Sequence, residues 1–257
     1  MARSVKVAAV QMPFGDRVGG NLRTMAAAVV RMARRGVRLA VFPECCLSGY
    51  LVPPKKRIWM SIASGIAWTQ ELAAAHRMAI VFGTAWPNGR KAPFNSAVAV
   101  DERGRLASRY DKLHLYGEDL KCFSPGRRLP EVFRLAGIRV AMQVCFDVRF
   151  PEPARAAALR GAKLITYSFA GTGKGAWKLP VIEGHLRSRA AENGVFVVGA
   201  NRAHRVMIVE SRIVGPDGQD VAAPVRVGRA GETVAAIVPA KARREFLRLR
   251  RPGIYKL

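Results

Sequence analysis

The chain has 257 residues, half of them hydrophobic, and 43 Lys and Arg against 18 Asp and Glu give it a formal charge of +25. Four cysteines with no CxxC pair exclude a disulfide scaffold, four histidines without ligand spacing exclude a recognisable metal motif, and no apolar run reaches the roughly 18 residues of a membrane span. We therefore expect one domain over residues 1–257 with a basic tail at 241–257, cytoplasmic, with no metal and no organic cofactor. The charge reads as a solvated arginine-rich surface. Nucleic acid is not expected as a partner, because interleaved aromatics, a recognition helix and a zinc framework are all missing.

In chain order, Val5–Gln11 alternates as a strand, Gly15–Gly20 breaks the pattern, and Asn21 is a good N-cap for a helix to about Arg35. Val37–Phe42 reads as a buried strand that delivers Pro43 and Glu44 into a loop. A helix over Ile66–Arg77 and a strand at Ala79–Gly83 follow. Ala97–Asp101 and Arg105–Tyr110 flank Glu102-Arg103-Gly104 as a hairpin, and an irregular segment from Asp111 to Pro130 begins just before Lys112. Ile138–Cys145 alternates again, and Pro151 and Pro153 fit the first turn of a helix ending near Gly161, so Cys145 falls at a strand-to-helix junction. Strands at Lys163–Tyr167, Val195–Gly199 and Thr233–Val238, a helix at Leu179–Asn193 and a turn at Pro216-Asp217-Gly218 complete a mixed α/β sandwich covered by helices.

A carboxylate at a strand end, a lysine after a hairpin and a cysteine at a junction are reactive groups on loops that a scaffold can hold. A thiol is largely protonated at neutral pH, so a nucleophilic cysteine needs a base or a neighbouring cation. Glu44 suits the first role and Lys112 the second, while the Phe146 amide, next after the cysteine, is a natural donor to an oxyanion.

Phe42-Pro43-Glu44, Tyr110-Asp111-Lys112-Leu113-His114-Leu115 and Cys145-Phe146-Asp147-Val148-Arg149-Phe150-Pro151-Glu152 resemble the three signatures of the nitrilase (carbon–nitrogen hydrolase) superfamily, in the family's order. Arg187–Asn193, Gly215–Gly218, and Arg251-Pro252 with Tyr255 extend the likeness over nearly the whole chain. The resemblance implies a four-layer α-β-β-α sandwich that pairs as a homodimer or larger homo-oligomer. It also implies Cys145 as nucleophile, Glu44 as general base, Lys112 as oxyanion stabiliser, and Glu118 as a second glutamate orienting Lys112. The implied activity is amidase-like: hydrolysis of a small linear carboxamide or N-carbamoyl compound through a cysteine thioester. A nitrilase, or an acyltransferase in which an amine replaces water, would use the same intermediate. The charge alone would support a non-enzymatic binder of nucleic acid or another anionic partner.

Tyr50, Phe169, Ala170 and Trp177 are candidate substrate contacts, with aromatic core packing as the competing reading. Cys45, Cys46 and Cys122 read as structural thiols. His114 fits a supporting hydrogen bond better than the base of a papain-like pair. Gly171–Gly175 fails the phosphate-loop template, because glycine follows Lys174 where Ser or Thr is required.

Overall fold

The computed structural model describes residues 3–50, 56–171, 177–206, 209–242 and 245–254. Two sheets stack face to face. The first runs in the order β11 (Gly231–Ile237), β1 (Val5–Gln11), β2 (Leu39–Val41), β3 (Ala79–Trp86), β4 (Phe94–Val100), β5 (Leu106–Asp111). The second runs β10 (Arg212–Val214), β9 (Phe196–Ala200), β8 (Leu164–Ser168), β7 (Ile138–Val144), β6 (Phe133–Leu135). Each has parallel strands at its centre and antiparallel strands at its edges.

The alternation along each strand creates the layers. Val7, Ala9, Val41 and Val81 of the first sheet meet Val140, Met142, Val144, Leu164 and Val198 of the second in a core between the sheets. The opposite face of the first sheet, with Ala8, Val10, Ile80 and Phe82, packs under α1 (Val18–Arg34) and α2 (Lys56–His76). The opposite face of the second, with Ala141, Ile165, Tyr167 and Val197, packs under α4 (Pro151–Leu159) and α5 (Lys178–Ala191). The result is the expected α-β-β-α sandwich, whose strands are nearly continuous in apolar residues because both faces are covered.

Three local expectations change. The first helix begins at Val18, and Asn21 lies within it, 3 % exposed. Its amide is spent on the loop instead, accepting from Gly15 N at 2.9 Å and donating to Gly15 O at 2.9 Å and Leu47 O at 3.0 Å. α2 starts ten residues earlier than its clear periodicity, at Lys56 rather than Ile66. The short edge strand β6 carries too few residues to show a period. Within the region read as a basic tail, Leu247 of α6 (Glu245–Arg248) is tucked into the core under the outer helices, while Tyr255 lies outside the described residues. Among the described residues no helix is long and apolar enough to cross a membrane.

Candidate active site

Glu44 and Lys112 come from loops of the first sheet and Cys145 from the second, so the site closes across the stacked sheets. After β2, Phe42 N still donates to Val81 O at 2.7 Å, and the chain then crosses directly over Gly83. A Cβ on Gly83 would stand 2.3 Å from Cys45 N and 2.5 Å from Glu44 Cα, so only glycine admits this approach. Lys112 is fixed through its backbone: its N–H donates to Asn95 O at 2.8 Å and its carbonyl accepts from Gly126 N at 2.7 Å.

Cys145 opens a 3₁₀ turn, Cys145–Arg149, with φ of 45°. A left-handed backbone costs an L-residue roughly 1–2 kcal/mol, so the surroundings must impose it. The wholly buried Asp147 does so. Its Oδ2 accepts from Val144 N at 3.2 Å and from the Tyr110 hydroxyl at 2.8 Å. Its Oδ1 accepts from His114 N at 3.0 Å and lies 2.8 Å from His114 Nδ1. One carboxylate thus ties the Cys145 turn to the segment that carries Lys112. His114, stacked on Phe150 at 3.8 Å, supports this joint and faces Asp147.

The hydrogen-bond capacity of the two charged groups is almost exhausted. Glu44 Oε1 accepts from Lys112 Nζ at 2.7 Å and Asn95 Nδ2 at 2.7 Å, and Oε2 accepts from Ala170 N at 2.8 Å. A carboxylate offers about four lone-pair positions. The remaining one is left for the Cys145 thiol, whose proton Glu44 helps to hold. Lys112 Nζ donates one N–H to Glu44 and a second to Asp119 Oδ2 at 2.6 Å, which leaves the third of an ammonium's three N–H groups for another acceptor. Glu44 and Lys112 are 1 % and 2 % exposed, so this is a desolvated ion pair.

Burial, then the charge of Glu44, holds the Cys145 thiol above its ordinary range, and Lys112 offsets this only in part. Burial works against the charge of Lys112, but Glu44 and then Cys145 outweigh it, and the ammonium is held above the usual lysine range. Asp119 is pushed up to about 7 by burial and by Glu44. A partly buried thiol beside a carboxylate, with a fixed ammonium and the first N–H groups of a helical turn nearby, can transfer a proton, form a bond at sulfur and stabilise an oxyanion. The Phe146 N–H is one of those first-turn donors.

The expectation for Glu118 is corrected. Glu118 precedes α3 (Asp119–Cys122) and faces outward, pairing with Lys121 at 3.0 Å with 67 % of its side chain exposed. The next residue, Asp119, turns inward onto Lys112, and the Tyr50 hydroxyl hydrogen-bonds its other oxygen. Of the candidate substrate contacts, Phe169 is 2 % exposed, its ring packed near Tyr167 under the outer helices, because it continues the alternation of β8. Its carbonyl accepts from Glu44 N at 3.2 Å, and Ala170 supplies the N–H to Glu44 Oε2. Both therefore serve Glu44 through their backbone. Trp177 stands at the surface, 62 % exposed, and Thr172–Ala176 before it lie outside the described residues.

Sequence reasoning missed Asn95, Asp119 and Asp147. A polar residue inside the apolar run Phe94–Val100 was the available signal for Asn95. Cys45, Cys46 and Cys122 are free and buried, and burial pushes the Cys46 thiol up to about 12, which suits inert packing groups.

The carbon-nitrogen hydrolase family model matches residues 6–244, and the chain belongs to that family. Among its curated relatives, a protein described as a nitrilase from Pyrococcus abyssi is 32% identical over 204 residues, 77% of this chain and 75% of that one. A hydrolase from the pqqF 5′ region of Pseudomonas protegens is 30% identical over 98% of this chain and 91% of its own. In three dimensions the chain resembles an amidase from Nesterenkonia sp., at 27% identity and a TM-score of 0.86 with 100% of this chain and 97% of that one covered. A variant of that amidase carries the acetamide moiety of fluoroacetamide covalently attached to its active-site cysteine, and another variant is in complex with butyramide.

Proposed function

We propose that this hydrolase cleaves a small linear carboxamide, or an N-carbamoyl compound, through a Cys145 thioester. The observation that carries the proposal is the saturation of Glu44 and Lys112: each has one hydrogen-bonding position left over, the former for the thiol and the latter for an acceptor. The likeness to an amidase of which one variant carries an acetamide moiety on its active-site cysteine and another holds butyramide supports the same substrate class.

In the reaction, the Cys145 S–H proton passes to Glu44 as sulfur attacks the amide carbon, and the carbonyl π pair becomes an oxyanion. The third Lys112 N–H and the Phe146 N–H stabilise that charge. The tetrahedral adduct collapses, the C–N bond breaks, and Glu44 returns its proton to the leaving nitrogen as ammonia or amine. Water then attacks the thioester, giving a proton to Glu44. Collapse of the second adduct releases the carboxylic acid, and the sulfur regains its proton. Asn95 and the Ala170 N–H act as positioning groups, because they occupy the lone pairs of Glu44 that would otherwise compete for the thiol.

A panel of short aliphatic amides, ureido acids and nitriles, read by ammonia release and by chromatography of the acid, tests the assignment. Turnover of amides or ureido acids is the expected result. Turnover of nitriles alone would replace it with a nitrilase, and the same panel with hydroxylamine as acceptor detects acyl transfer.

A further inference from the structure

A cleft lies away from Cys145, at the other end of β7. It has a volume of about 520 Å³ and is lined by Arg128, Leu129, Glu131, Val132, Arg139 and Arg160. Arg139 is the second residue of β7, and Cys145 follows its other end. At about 3.3 Å of rise per residue, the two are separated by about 20 Å.

Two of the cleft's guanidinium groups are fixed in place. Arg139 Nε donates to Gly161 O at 3.0 Å and Nη2 to Arg160 O at 2.6 Å, over the end of α4. A Cβ on Gly161 would stand 3.1 to 3.3 Å from three atoms of this guanidinium, so a side chain there would crowd it. Arg160 Nη1 reaches Pro130 O at 3.4 Å. Arg134 of β6 sits directly opposite Arg139 in the antiparallel register, an unfavourable like-charge pair.

Among the described residues, none of Arg127, Arg128, Arg134, Arg139 and Arg160 lies within ion-pair distance of a carboxylate. Elsewhere the protein does pair its arginines, for example Arg105 with Asp101 at 2.8 Å and Arg187 with Asp220 at 2.6 Å. The arginines around the cleft come from separate stretches of chain, and the fold gathers them beside one apolar wall, Leu129 and Val132.

We propose that this cleft binds a phosphorylated small molecule. The planar forks of Arg128, Arg139 and Arg160 match the oxygens of a phosphate ester, and arginines already anchored to carbonyls lose little freedom on binding. Leu129 and Val132 face the carbon skeleton, and Glu131 accepts from a hydroxyl or amine on it. The cleft's limited volume suits a small ligand, where a nucleic acid would want an extended stripe.

Titration calorimetry on the full chain at near-physiological salt, with inorganic phosphate, ribose 5-phosphate and adenosine diphosphate as probes, tests the proposal. One saturable site per chain for an ester is expected, weakened at least about tenfold in the double variant Arg128→Glu, Arg160→Glu and unchanged in Arg103→Glu with Arg23→Glu, which alters the net charge equally. Circular dichroism and thermal melting confirm that the variants are folded, and Arg128→Gln is the milder variant if the double one is not. No saturable binding, equal weakening by the control pair, or inorganic phosphate binding as tightly as the esters would overturn the proposal.

Discussion

The two ends of β7 treat charge in opposite ways. At the Cys145 end Glu44, Lys112, Asp119 and Asp147 are almost wholly buried, and each has its hydrogen-bonding partners in place. At the Arg139 end guanidinium groups gather at the surface with Glu131 as the one carboxylate lining the cleft, and among the described residues none of them forms an ion pair. The paired charges of the site are thus held apart from the unpaired charges of the surface. Buried charge is tolerated only when it is paired, and the pairing leaves reactive positions where they are needed. The exposed charge remains free to meet a ligand from outside.

The comparison breaks most visibly at the sulfur. Cys145→Ala should lower kcat/KM for the best amide by at least about 10⁴-fold with the melting temperature little changed, as progress curves and thermal melts will show. Glu44→Gln keeps the shape but removes the proton acceptor, and we expect a loss of about 10²–10⁴-fold, mostly in kcat. Asn95→Ala frees a lone pair on Glu44, and we expect a loss of about tenfold or more in kcat with KM nearly constant. Equal changes in both constants would point to a general loosening of the site.

Asp119 supplies a pH test of the buried end. A carboxyl whose folded value is raised binds its proton more readily when folded, so its contribution to stability is present at low pH. That contribution is lost as the pH climbs from the ordinary aspartate range toward about 7. The melting temperature of Asp119→Asn relative to the native chain should therefore rise between about pH 4 and pH 7 and level off above it. The smallest effect belongs to the other end: Arg128→Glu should leave amide hydrolysis unchanged.

Much of this architecture was legible in the residues. The alternation of Ile138, Val140, Met142 and Val144 correctly assigned one face of β7 to a core, and the proline pair marked the start of α4. Glu44, Lys112 and Cys145 were each visible beside their signatures. What the residues did not reveal was direction. Glu118 and Asp119 are adjacent carboxylates, and only the turn of the chain decides which one faces Lys112. Phe169 and Ala170 act through backbone atoms, which leave no mark in side-chain chemistry. Asp147 was read as part of a motif, yet its four contacts join segments that only folding brings together.

The most direct test is intact-mass spectrometry of the protein quenched during turnover of a short aliphatic amide, followed by peptide mapping. A mass increase equal to the acyl group, located on Cys145 and missing from Cys145→Ala, is the predicted result. An adduct on any other residue, or undiminished hydrolysis by Cys145→Ala, would contradict the mechanism.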